Sequence, residues 1–160
     1  MIDNSTKWKT ENVQNDAIVY VRVNREYIQK KGDKIGLPNT GAFYNTPKNG
    51  SDLSSDWNKY STPEDSRERI GKEFKLSKPG QYKTSSEFYI VSFKVQDIYD
   101  LELEQSIEHS PRQENFPDEI DGFPWNRSHC SIIGDASLER RTRMPDICTW
   151  EIPPPEYNPS

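Results

Sequence analysis

Cys130 and Cys148 are the only cysteines in this 160-residue chain, and His109 and His129 the only histidines. Two thiols cannot build a disulfide framework, and no CxxC or paired-histidine spacing marks a zinc site, so no metal is expected. Both cysteines are expected reduced and partly buried, as in a reducing compartment. Long apolar runs are missing as well. Nothing approaches the roughly 18–20 residues of a membrane span, and the polar opening MIDNSTKWKTENVQND lacks the apolar centre of an export signal. These absences predict a cytoplasmic protein with no membrane contact. Large apolar residues are scarce: Ile, Val, Leu and Phe number 31 of 160, just under the roughly one-fifth level at which disorder becomes an option. Against disorder stand a net charge of only -5 and a supply of four Trp, eight Tyr and six Phe. So small a charge does not hold a chain open, and each ring can bury roughly 150–250 Å². A folded, loop-rich domain with a small aromatic core follows.

The strands that are present read clearly. Residues 17–23, AIVYVRV, are β-branched and bounded by Asp16 and Asn24. In residues 87–95, EFYIVSFKV, Tyr89, Val91, Phe93 and Val95 alternate onto one face while Phe88 and Ile90 start the other, as in a central strand. Residues 129–134 and 147–152 complete the set, the first ending at Gly134 and the second at Pro153–Pro155. Thr62-Pro63-Glu64-Asp65 places a capping hydroxyl before Pro at N1, predicting a helix to about Phe74. Asp135 can cap a second helix limited by Pro145, and Asp97–Leu101 can make one turn. Residues 30–50 hold four glycines, two prolines and three asparagines, a long irregular loop in which Gly41–Tyr44 can be a short strand. Residues 102–126 are acidic and broken by Pro111, Pro117 and Pro124, without periodicity. The fold class is α+β, a small mixed or antiparallel sheet with two short helices and long loops. A disordered segment over 1–15, one domain over 16–155 and a tail over 156–160 are expected.

The candidate chemistry is sparse, with no phosphate loop, dinucleotide fingerprint, zincin motif or nucleophile elbow. His129 and Cys130 are adjacent, so on a strand they point to opposite faces and cannot pair. His129 enters its strand from a polar loop, where it either pins that loop or presents one ring nitrogen to a pocket. Arg22 interrupts the apolar run Val19–Val23. It faces solvent if only the valines are buried; otherwise it needs an anion, either a carboxylate such as Asp56 or a ligand phosphate. Ser54, Ser55 and Asp56 beside Trp57 make either a self-bonded turn with the indole in the core or one wall of a polar site. Arg140, Arg141 and Arg143 read as the solvated face of a helix before they read as a phosphate patch. With a pI of about 5.1, nucleic acid is disfavoured as a partner.

Taken in order, Arg22, Gly41–Phe43, Leu53–Trp57, Asn126–His129 with Gly134, an Arg-rich helix and Trp150 form a pattern over residues 18–152. It resembles a group of small bacterial proteins with LSxD and NPxHxxxxG-type motifs, here with Arg127 in place of the group's proline. The resemblance implies a bacterial origin and a shared fold rather than a reaction. The chain is also similar, more faintly, to the ADP-ribosyltransferase superfamily and its NAD-consuming RES-type relatives. These place an Arg or His on an early strand, then a Ser-bearing strand, then a Glu. Arg22 and Ser54 match the first two positions and Glu87 is available for the third, but no ExE pair accompanies it. That similarity implies NAD or another nucleotide as ligand, held by Arg22 with Tyr44 or Trp57 stacked on the nicotinamide.

Two functions stand as expectations. The first is a protein-binding component of a multi-gene bacterial system, such as an anti-phage defence locus, using residues 102–126 as its partner surface and needing no cofactor. Deletion of 108–122 is then expected to abolish association and leave the fold intact. The alternative is an NAD- or nucleotide-binding enzyme or sensor whose pocket draws on Arg22, Ser54, Asp56 and His129. It requires those four side chains to converge on one face of the sheet.

Overall fold

A computed structural model of the protein describes residues 8–43, 52–69, 84–113, 126–134 and 138–157. Six strands form one sheet: β1 (Ile18–Asn24), β2 (Leu53–Trp57), β3 (Phe88–Lys94), β4 (Gln105–His109), β5 (His129–Gly134) and β6 (Thr149–Ile152). Their spatial order is β4-β5-β2-β1-β3-β6 and every neighbouring pair is antiparallel. Among the described residues three short α-helices accompany them: α1 (63–69), α2 (Val95–Tyr99) and α3 (Leu138–Ile147). The fold is therefore α+β with an antiparallel sheet. None of the described helices is long and apolar enough to cross a membrane.

Strand alternation sorts the side chains into two unlike faces. Register pairs Val19 with Trp57 and Phe93, and His109 with Cys130, so one face carries Val19, Val21, Val23, Trp57, Val91, Phe93, Ile107, Cys130 and Ile132. All are buried, and Phe43, Val95, Ile98, Leu101 and Met144 join them in one cluster. Phe43 meets Phe93 edge-on with ring centroids 5.3 Å apart. The other face carries Tyr20, Arg22, Ser54, Asp56, Ser92, Glu108, His129 and Ser131. α1 supplies side chains to that polar face. Its start is set as the sequence predicts, with the Asp65 N–H donating to Thr62 Oγ1 at 3.1 Å.

Several expectations are corrected. Leu53–Trp57 is a strand rather than a self-bonded turn, because β1 and β5 flank it and satisfy its backbone. Gly41–Phe43 is a turn folded onto Asn39, whose Oδ1 accepts from the Gly41 N–H at 2.8 Å. Residues 105–109 of the acidic segment form β4, so deleting 108–122 cuts into the sheet and cannot leave the fold intact. Residues 8–15, expected to fray, are tied to the body. The Trp8 N–H donates to Gln113 Oε1 at 2.7 Å, the Glu11 N–H donates to His109 Nδ1 at 3.0 Å, and Glu11 pairs with Lys59. α3 runs through Pro145 to Ile147, and its Arg140 is fully buried with Nη2 donating to the Phe43 carbonyl at 3.1 Å. Arg143 donates to the Leu101 carbonyl at 2.9 Å. These arginines tie loops to the apolar face instead of forming a solvated stripe. Cys130 and Cys148 are both free thiols, and burial pushes each up to about 12, which disfavours the thiolate form.

Candidate functional site

Arg22, Ser54, Asp56 and His129 all lie on the polar face. Asp56 is the direct partner of Tyr20 on β1 and of His129 on β5, and Ser54 is the partner of Ser131. The two motif segments Leu53–Asp56 and Asn126–His129 are thus brought side by side by one antiparallel register.

Asp56 is 2 % exposed and saturated with partners. Its Oδ2 accepts from Ser66 Oγ at 2.5 Å and lies 3.0 Å from Arg69 Nη1, an ion pair without hydrogen-bond alignment. Its Oδ1 accepts from Asn126 Nδ2 at 2.8 Å and from Ser128 Oγ at 3.1 Å. Burial pushes this carboxyl upward, but the charges of Arg22 and Arg69 and the hydrogen bonds of Ser66 and Asn126 outweigh it and hold it below its ordinary value. Arg22 therefore has a carboxylate as counter-charge, and its Nη1 reaches the Ser66 carbonyl at 3.5 Å. Asp56 is the clasp that fixes α1 and the Asn126 turn to the sheet.

His129 is held on both sides. Its Nδ1 lies 2.9 Å from the Ser110 carbonyl, which can only accept, so Nδ1 carries the proton. Its Nε2 is then an acceptor, and Ser54 Oγ, 3.2 Å away, donates to it. Burial first, then the positive charge of Arg112, pushes the imidazole down to about 4, so the ring is neutral at ordinary pH. His109 has the opposite tautomer, with Nδ1 accepting from Glu11 and Nε2 donating to the Arg127 carbonyl at 2.6 Å.

A groove of about 530 Å³ opens beside His129, lined by Ser110, Arg112, Gln113 and Ser131 together with Thr10 and Glu108. Ser110 Oγ sits 2.9 Å from Ser131 Oγ and 3.0 Å from His129 Nδ1. The Arg112 guanidinium makes no hydrogen bond or ion pair among the described residues, while its backbone is bridged to Asn126. A larger groove of about 860 Å³ lies between residues 10–15 and β4, away from Ser54 and Asp56. Ser110, Arg112 and Ser131 escape sequence reasoning. The one signal for them is Ser110-Pro111-Arg112, placed directly after a strand whose single aliphatic residue, Ile107, hides it.

Two proposed ligand contacts are not part of this face. Trp57 follows Asp56 on β2 and so points to the apolar side, where its ring meets Tyr60 and His109 edge-on at 5.7 and 5.3 Å. It cannot stack on a ligand held by Arg22. Tyr44 lies outside the described residues. Glu87 sits in the turn before β3, where its charge acts on Arg25, and it joins no contact with Ser54 or His129. Among the described residues no three His, Cys, Asp or Glu side chains are grouped as a metal requires. Set against protein-family models, curated proteins and solved structures, the chain matches none.

Proposed function

We propose that the protein binds a small phosphorylated ligand, a nucleotide such as NAD or ADP-ribose, in the groove beside His129. One observation carries this reading: Arg112, whose guanidinium has no hydrogen-bonding partner among the described residues, lines the same groove as Ser110, Ser131 and a neutral His129 imidazole. A planar guanidinium with adjacent hydroxyl donors suits a phosphate oxygen. The convergence of Arg22, Ser54, Asp56 and His129 supports the same reading but changes their parts. Arg22 and Asp56 neutralise each other and brace the face, and Arg112 takes the role of phosphate contact.

Thermal unfolding with millimolar NAD, ATP and ADP-ribose tests the proposal. A ligand at about 100 times its Kd stabilises by about 2.7 kcal/mol, a rise of roughly 5–10 °C for a chain of this size. The shift is expected with one of the three and lost in Arg112→Ala, whose own midpoint stays near wild type. Arg22→Ala instead lowers the midpoint of the free protein. No shift with any of the three contradicts nucleotide binding and turns the question to a protein partner, sought by pull-down.

A further inference from the structure

The Ser54 hydroxyl donates to an unprotonated imidazole nitrogen whose opposite nitrogen is anchored by a backbone carbonyl. This is the arrangement of a nucleophile, a base and an orienting group, with the Ser110 carbonyl in the third role. We infer that Ser54 is a nucleophile toward ester carbonyls and that His129 is its general base. Ser54 is half-buried, and its cross-strand partner Ser131 lines the groove. The inference goes beyond nucleotide binding and does not depend on it, because it uses the Nε2 side of the ring. On the groove side, Ser110 adjoins Nδ1.

The step balances without any co-reactant beyond water. Ser54 Oγ bonds to the carbonyl carbon while its proton moves to His129 Nε2. The ester C–O bond breaks, and the leaving alcohol takes that proton. Water then attacks the acyl-Ser54, again giving a proton to Nε2; the Ser54 Oγ–C bond breaks, Oγ takes that proton back, and a carboxylic acid leaves. The same geometry serves a fluorophosphonate, where Oγ bonds to phosphorus, fluoride leaves and the proton passes through Nε2 to water.

The test incubates the full chain with an alkyl fluorophosphonate and locates adducts by intact mass and peptide mapping. One adduct on Ser54 is expected. It is absent in Ser54→Ala, a change that removes one hydroxyl and leaves the unfolding midpoint near wild type. In His129→Gln it forms at least about 100-fold more slowly. Because His129 is buried, its variant can fail to fold. The wild-type labelling rate between pH 7 and 4 then decides. A rate that falls as an imidazole is protonated between pH 7 and 4 supports a histidine base; a rate level across the whole range overturns it. No adduct, or an adduct only on Ser110 or Ser131, also overturns the inference.

Discussion

Asp56 and His129 face each other across β2 and β5, yet the protein treats them oppositely. Asp56 is kept charged by arginines and hydrogen-bond donors, and His129 is kept neutral by burial and by the positive Arg112. The consequence for stability has a definite sign. The folded-state value of His129 lies near 4, below the roughly 6.5 of an exposed imidazole in the unfolded chain. Its contribution is complete above about pH 6.5 and declines as pH falls toward 4, because the unfolded chain takes the proton first. The loss amounts to roughly 3 kcal/mol. Urea midpoints at pH 7, 5.5 and 4.5 measure it, and His129→Gln is expected to flatten the slope in that window. An unchanged slope in the variant assigns the acid sensitivity to other groups. Asp56 acts in a lower window, since a depressed carboxyl gives up its contribution only as pH drops through the carboxylate range.

The elements show which parts of the molecule are legible in a single sequence. β1, β3 and β5 are rich in aliphatic, β-branched or aromatic residues, and their alternation predicts both position and face. β2 and β4 carry three polar residues in LSSDW and four in QSIEH. Each reads as turn or loop because its polar groups are satisfied by distant partners, Ser66 and Asn126 for Asp56 and the Glu11 and Arg127 backbones for His109. Local composition cannot reveal such long-range bonds. The same limit hides residues 8–15, whose ties to His109, Gln113 and Lys59 span roughly half the chain or more in sequence for two of the three. At Gly134 the sequence is informative for a physical reason. Its φ of 142° and the Glu104 carbonyl, 2.2 Å from where a Cβ would stand, leave room only for hydrogen. Gly134→Ala is expected to cost about 1–3 kcal/mol from backbone conformation alone, with the clash added. A midpoint within a degree of wild type on thermal unfolding contradicts the close packing of β5 on the start of β4.

At the scale of the whole molecule, one sheet divides an apolar face from a polar one. Its apolar face, with Val19, Phe93 and Ile132 at zero exposure, carries the core. Its polar face is organised by Asp56, and the candidate ligand groove opens at the β4–β5 side of it. The four residues singled out from the sequence share that face, with His129 alone among them lining the groove, while Trp57 does not join them, because strand alternation places it on the core side. The division makes a spatial prediction that backbone ¹⁵N NMR titration with ADP-ribose and NAD checks directly. Amide shifts are expected at Ser110, Arg112, Gln113, His129 and Ser131, with Tyr27 and Gly36 left in place. Shifts confined to Tyr27 and Gly36, or no shifts at millimolar ligand, contradict a nucleotide site on the polar face.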